Sequence, residues 1–200
     1  VDNLTLTVSG TLGLANVNDQ GGTAIYTAIN MGDVNVTAGA DSDLFGLTGN
    51  VTIDYYHSNS AANGYDRLDW TTAFADGALL NPGSYLPTPV DLTIDFTSDM
   101  DYRVAGSVTG TGTNGAFLTV GGVVLSGSAE FALSRYDRDI GTVTGGTLDT
   151  WAFNVNEAGV AVDNLTLTVS GTLGLANVND QGGTAIYTAI NMGDVNVTAG

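Results

Sequence analysis

Apolar and polar residues alternate along most of this chain. Every second residue is apolar in residues 4–9, and the same alternation recurs in 34–37, 51–56 and 91–97. A period of two predicts strands that bury one face and expose the other. Further strand-like segments, separated mostly by Gly-Gly and Asn-Gly pairs, occupy residues 24–29, 68–74, 102–108, 116–125, 129–136 and 148–155.

These segments define the predicted fold class. About ten to twelve short strands with one apolar face each are typical of an all-β, antiparallel two-sheet sandwich of jelly-roll-like form. No helical stripe of apolar residues interrupts them. We expect the core to be anchored by the large aromatic residues of the strands, namely Trp70, Phe96, Phe117, Trp151 and Phe153.

The chain contains an exact internal repeat. Residues 1–39 recur without a change as residues 162–200, an offset of 161 residues. Two interpretations are open: an artificial duplication of one segment, or a window on a tandem array of identical units. We favour the array, because artificial duplications seldom span such a long, structurally coherent stretch. A period of 161 residues is the size of a whole domain rather than of a solenoid repeat. Residues 1–161 are then one β-sandwich unit, and residues 162–200 are the first strands of the next unit, repeated head to tail.

The junction between the two units has the pattern of one strand running into the next. Its sequence, NVNEAGVAVDNLTLTVSG, has no Pro, no Gly/Ser-rich run and no block of charge. A unit cut after Ala161 would leave an apolar edge strand exposed. We therefore predict donor-strand exchange between units, with the side chains of the inter-unit strand buried on the preceding unit. Those residues are Leu165, Leu167 and Val169, and their equivalents one repeat earlier are Leu4, Leu6 and Val8.

Composition excludes several functional classes. The chain carries 21 acidic residues, 4 Arg and no Lys, which gives a formal net charge of −17. This balance excludes nucleic-acid binding, which needs a cationic surface. No apolar run is long enough for a membrane-spanning helix, so no membrane insertion is expected. A surface built from Asp, Asn, Thr, Ser and Gly, with no Lys, indicates an extracellular or cell-surface protein.

Catalytic groups are scarce. The chain has no Cys, His57 is its only histidine, and no Ser lies in a G-x-S-x-G context. No pair of carboxylates stands out as a general acid and base. We therefore predict that the protein is not an enzyme and that it has no catalytic residues and no resident cofactor.

Calcium is the candidate cation. Asp residues spaced as D-x-D in predicted loops supply the oxygen ligands that Ca²⁺ prefers. Aspartates that only hold their own turns are the competing and favoured interpretation, because no D-x-[DN]-x-[DN]-G run is present. The three pairs are Asp41 with Asp43, Asp99 with Asp101, and Asp137 with Asp139.

Two further surface features are candidates for glycan chemistry. Aromatic residues flank a polar loop between Tyr55 and Trp70 and could stack on sugar rings, although a cross-strand aromatic ladder explains them as well. The sequon N-x-[ST] predicts N-glycosylation on the polar face of strands. The sequon residues are Asn3, Asn35, Asn50, Asn164 and Asn196.

A family resemblance is carried by two stretches. They are VDLTIDFTSDMDYRVAGSVTGTGTNGAFLTVGG and TLDTWAFNVNEAGVAVDNLTLTVSG, within roughly residues 90–170. In these stretches the chain resembles exported bacterial β-sandwich proteins of the PEP-CTERM type and large tandem-repeat adhesins. The resemblance implies a matrix, filament or surface component and supplies no catalytic residues.

Taken with the repeat, these features predict a structural subunit of an extracellular fibre, pilus-like filament or long surface adhesin. Its partners would be identical copies of itself. The alternative from another class is a secreted carbohydrate-binding module, or a polysaccharide-active protein, that uses the Tyr55–Trp70 aromatic region.

Overall fold

The computed structural model describes residues 4–42, 45–75, 78–120, 123–162, 165–180 and 186–200. It is built from strands, with 3-10 turns at Pro82–Tyr85 and Thr113–Gly115. The strands are β1 (Leu4–Asn18), β2 (Ile25–Ser42), β3 (Phe45–Ala61), β4 (Met100–Gly110), β5 (Ala116–Val120), β6 (Val123–Ile140), β7 (Val143–Val162), β8 (Leu165–Asn179) and β9 (Ile186–Ala199). The predicted all-β class is confirmed.

All nine strands belong to one antiparallel sheet. Its order is β1-β2-β3-β4-β6-β7-β8-β9, and β5 pairs with β3 and β6 beyond the end of β4. Strands β4 and β5 therefore share one position, so the sheet has eight positions, six of them filled by β1 to β7. Apart from β4 and β5, consecutive strands pair with each other, and most of them are joined by the short connections that favour antiparallel neighbours. The exception is the long connection between β3 and β4. The two-sheet, jelly-roll-like arrangement is not seen among the described residues.

Part of one face of the sheet is covered by the long irregular segment between β3 and β4, which we call the cap segment and which is described for residues 62–75 and 78–99. Its Trp70, Ile94 and Phe96 pack with Met100 on Ala15 of β1 and Ala28 of β2 to form the hydrophobic core. Trp70 and Phe96 are thus core residues, as expected from the sequence.

The strands predicted at residues 68–74 and 91–97 are wrong. Within the described cap segment, β pairing is limited to the bridge between Leu80 and Ile94. The backbone N–H of Trp70 donates to the Phe96 carbonyl oxygen at 2.8 Å, a loop contact rather than a sheet ladder. Alternate residues are buried here because one side of an extended loop faces the sheet. The predicted strand at 116–125 is divided between β5 and β6.

A buried amide fastens the cap segment to the sheet. The side chain of Asn59, on β3, is fully buried, and its Oδ1 accepts from Trp70 Nε1 at 3.0 Å. Its Nδ2 donates to the carbonyl oxygens of Leu68 and Thr97 at 2.9 and 3.0 Å. One side chain therefore ties both ends of the cap segment to the third strand.

Candidate functional site

The repeated sequence folds into the same hairpin twice. Strands β1 and β2 pair with a register shift between Ser9 and Thr11, and β8 and β9 pair with the equivalent shift between Ser170 and Thr172. At this bulge Thr11 Oγ1 donates to the Gly32 carbonyl oxygen at 2.9 Å, and Thr172 Oγ1 donates to that of Gly193 at 3.1 Å. The two hairpins occupy opposite ends of the sheet.

The bulge has a backbone requirement that both copies meet in the same way. Gly10 and Gly171 have φ of +152° and +147°, and a Cβ on Gly10 would lie 2.8 Å from Val34 Cα. Opposite them, Asp33 and Asp194 adopt φ of 51° and 53°. Glycine is needed at the first position because no side chain fits there.

The residues predicted to form an inter-unit strand lie on β8, and their side chains are not buried. Strand β8 pairs with β7 along its length, with Val160 opposite Leu167 and Val162 opposite Leu165. Leu165, Leu167 and Val169 are 63%, 41% and 36% exposed. Leu6 and Val8 in the first copy are also exposed, and the side chain of Leu4 lies outside the described part. The predicted burial is wrong because these side chains point to the sheet face opposite the cap segment.

That opposite face, which we call the open face, carries rows of apolar side chains. Cross-strand partners share a face, so the pairing registers define its rows. One row crosses all eight positions and consists of Leu12, Met31, Tyr56, Val104, Leu133, Trp151, Leu175 and Ile190. A second row consists of Val8, Val36, Val51, Val108, Ala129 and Val155. Phe153, expected in the core, lies on this face and is exposed.

The other face shows what the cap segment does to identical residues. Ala28 and Asn30 of β2 are buried beneath it, and Asn30 Nδ2 donates to the Thr93 carbonyl oxygen at 2.8 Å. Their equivalents on β9, Ala189 and Asn191, are exposed. The second hairpin therefore presents, uncovered, the surface that the first hairpin uses to hold a cap segment.

An ion pair missed in the sequence lies next to the apolar rows of the open face. Asp149 on β7 is buried, and its two oxygens accept from Nε and Nη2 of Arg135 on β6 at 2.6 and 3.1 Å. The hydrogen bond to Asp149 is the main reason that the pKa of Arg135 is raised. Arg135 also lies over the ring of Tyr102. A cross-strand Arg–Asp pair leaves no periodic signal in the sequence, which is why it was not predicted.

Aspartates proposed for calcium meet arginines instead. The Arg67 guanidinium lies between Asp101, at 3.9 Å, and Asp137, at 2.5 Å, at the rim of a cavity of about 620 Å³. Arg138 pairs with Asp99. Asp139 Oδ1 accepts from the backbone N–H of Gly145 at 2.7 Å. The side chains of Asp41 and Asp43 lie outside the described part.

No group of three or more Asp, Glu, His or Cys side chains in the described ranges is arranged to hold a metal ion. The arginines fit these aspartates as countercharges, so the described geometry supplies no support for calcium, which stays a prediction.

His57 is held as a neutral, packed side chain. Its ring stacks on Phe96, with centroids 5.0 Å apart, and its Nδ1 accepts from Arg103 Nε at 2.6 Å. Burial and, next, the positive charge of Arg103 lower the pKa of His57 to about 4, against an opposing effect of Asp95. The ring lies between β3 and the cap segment, so it contributes to the packing of the cap segment on the sheet.

The aromatic region proposed for sugar stacking is divided between core and surface. Trp70 is fully buried, whereas Tyr65 is exposed and Tyr55 packs beside His57 at 5.2 Å between ring centroids. Trp70 belongs to the cap segment and is packed against the sheet, so a sugar could stack on it only if the cap segment moved away from the sheet. The carbohydrate-binding alternative therefore loses its central residue.

The predicted sequons fall into three groups. Asn35 and Asn196 are exposed on β2 and β9. Asn50 is half-buried, and its Oδ1 is enclosed without a hydrogen-bond partner. Asn3 and Asn164 lie outside the described residues. Access for glycosylation is thus available at Asn35 and its repeat.

Within the described ranges, no helix has the length and apolar character needed to cross a membrane. Comparisons of the chain with known protein families, curated proteins and solved structures find no match.

Proposed function

We propose that this protein is a structural subunit of an extracellular fibre, filament or long tandem-repeat surface adhesin, and that its partners are identical copies of itself. The observation that carries the proposal is the position of the repeated hairpin. Strands β8 and β9 continue the same sheet directly from β7, with backbone pairing from Val162–Leu165 to Thr147–Asn179. In a tandem array, the sheet would then continue from one unit into the next through this pairing.

The edges of the sheet support continued extension. Strand β2 pairs on its far side with β3, and β9 repeats the sequence and register of β2. The third strand of a following unit would fit beside β9 through the same ladder. At the other end, β1 has the sequence and fold of β8, so its outer edge matches a strand of the β7 type.

The uncovered surface on the second hairpin supports the same proposal. Ala189 and Asn191 are exposed where Ala28 and Asn30 are covered. A following unit would supply its own cap segment there, 161 residues further along the chain. The second hairpin would then be covered by a cap segment, as the first hairpin is, and also paired with a third strand.

Location at the cell surface is part of the proposal and rests on composition. A net charge of −17 with no Lys suits a protein that stays soluble outside the cell. Exposed Asn35 and Asn196 are available as glycan sites.

Electron microscopy of a protein made of several tandem 161-residue units tests the proposal. Six sheet positions per unit, at about 4.8 Å each, predict an axial advance of about 29 Å per unit. Separate globular units of this size would be spaced by about 40 Å. A rod with the shorter repeat supports a continuous sheet, and a beaded chain with the longer spacing contradicts it.

A further inference from the structure

The open face is too large and too apolar to be an ordinary protein surface. Its longer row ends in exposed side chains at both edges of the sheet, Leu12 and Ile190, and Phe153 on β7 is also exposed. Exposed apolar patches of more than a few hundred Å² normally mark an interaction surface. The sequence assigns the apolar side of nearly every strand to this face, so an occupant is expected.

The dimensions of the face set the size of that occupant. Eight strand positions at ~4.8 Å and strands of 15 residues such as β1 and β8 give a face of roughly 38 by 50 Å. That is about 1,900 Å², more than twice the ~800 Å² that each partner buries in a stable interface. A short peptide would leave most of the face bare.

Charge also restricts the occupant. The two apolar rows contain no charged residue, and the adjoining row holds Arg135 and Asp149 as a mutually neutralising pair. The residues that give the chain its formal charge of −17 therefore lie outside the two apolar rows. An identical chain can approach through this face with its repelling charges on the outside, whereas an anionic membrane would be repelled by the net charge.

We propose that a second copy of this chain packs its open face on the open face of the first, so that two sheets enclose a common apolar layer. Two identical sheets have the same twist and therefore pack in the aligned arrangement of β-sandwiches, about 10 Å apart. The interface is isologous, with the same rows on both sides. Each chain contributes one of the two sheets. This pairing is independent of the tandem array, which extends a single sheet at its edges.

Sedimentation and tryptophan accessibility of the 200-residue protein test this pairing. We expect a dimer with twice the 20.4 kDa mass of one chain. The chain has two tryptophans, and Trp70 is already fully buried, so a change in acrylamide quenching reports Trp151 on the open face. Dimerisation should lower the quenching constant about twofold or more. Edge-to-edge pairing would leave Trp151 as accessible as before.

Adjacent residues on opposite faces provide matched variants. Val108→Glu places a carboxylate in an apolar row and should weaken dimerisation about 100-fold, since such a charge is buried unpaired. Thr109→Glu, on the other face of β4, is its control. Ile190→Glu and Ala189→Glu repeat the comparison on exposed positions of β9, where the monomer loses little stability.

The outcomes separate the possible occupants. A dimer that shields Trp151, responds only to the open-face variants and tightens with added salt supports the proposal, because salt screens repulsion between two acidic chains. A monomer, an oligomer that leaves Trp151 accessible, or a monomer that binds phosphatidylcholine vesicles through this face overturns it. Equal effects of Val108→Glu and Thr109→Glu also overturn it.

Discussion

Asn59 shows how one residue can decide whether the cap segment holds. Its amide makes three hydrogen bonds from a fully buried position, one to the Trp70 indole and two to backbone carbonyls at the ends of the cap segment. Without the amide, the N–H of the fully buried Trp70 indole and the Leu68 carbonyl oxygen would lose this partner, whereas the Thr97 carbonyl oxygen would keep its bond from the Met100 backbone N–H. A buried polar group without a partner costs more than the net gain of a bond formed in water.

We expect Asn59→Ala to lower the free energy of unfolding by about 3 kcal/mol, because it removes the hydrogen-bond partner of Trp70 Nε1 and of the Leu68 carbonyl oxygen. Urea denaturation of the 200-residue protein measures the change. Asn16→Ala is the control: Asn16 donates to Thr27 Oγ1 on an exposed surface, so its loss should cost less than ~0.5 kcal/mol. Similar losses for both variants would contradict an anchoring role for Asn59.

His57 should give the protein a pH dependence of known sign. Its pKa is lowered to about 4 in the folded protein and lies near 6.5 when exposed. Below pH 6.5 the unfolded chain binds a proton that the folded chain refuses until about pH 4. Stability from this group is therefore complete above pH 6.5 and declines as the pH falls towards 4.

Urea midpoints measured from pH 7.5 to pH 4.5 check this expectation. The difference between the natural protein and His57→Gln should shrink across that range, because glutamine keeps an acceptor for Arg103 but does not titrate. Carboxylate titration is common to both proteins and cancels in the difference. Parallel curves would show that burial of His57 does not set the slope.

The position of a residue in the core could be predicted from the sequence where the size and apolar character of its side chain decide it. Trp70 and Phe96 were correctly expected in the core, because large aromatic side chains lose most by remaining in water. Asn59 and the Asp149–Arg135 pair were missed, since a buried polar residue depends on partners far along the chain. The D-x-D spacing was visible, but the arginines that reach those aspartates come from distant segments.

Secondary structure elements followed the alternation pattern closely for the sheet. The pattern correctly indicated strands in the regions of β1 to β4 and β7, since each has one apolar face. It failed at 68–74 and 91–97, where the same alternation lies in the cap segment. A period of two reports an extended chain with one buried side, but not whether its backbone pairs with another strand.

The repeated hairpin offers a matched pair of strand-breaking substitutions. Thr166 and Gly200 exchange backbone hydrogen bonds, so the N–H of Thr166 points to β9 and that of the next residue, Leu167, points to β7. Leu6 is the equivalent residue in β1, an edge strand paired only with β2 in the described sheet. Its N–H therefore points outward.

We expect Leu167→Pro to destabilise the β7–β8 join by about 2–3 kcal/mol, because it removes a ladder bond inside the sheet. Leu6→Pro should change stability by less than ~1 kcal/mol, since its lost N–H bonds only to solvent. Amide hydrogen exchange on β8 and β9 measures the effect locally. If both prolines were equally harmful, the outward edge of β1 would have to be occupied.

At the scale of the molecule, the sequence predicted burial of one strand face but not what covers it. The sequence predicted a second sheet, yet the strands lie in one sheet, including β3 and β4, which pair although the long cap segment separates them along the chain. The cap segment covers part of one face, and the rows that include Leu12 and Ile190 remain exposed on the other. We therefore expect the cover of the open face to come from association with another chain.

The six sheet positions that β1 to β7 occupy have a mechanical consequence for the proposed array. In a continuous array, each unit would store 161 residues in about 29 Å of fibre length, with the hydrogen bonds along the fibre axis. The same chain pulled straight spans about 550 Å. An overloaded unit would lengthen nearly twentyfold before the covalent chain became taut, so the fibre would absorb a sudden pull by unfolding single units and remain unbroken.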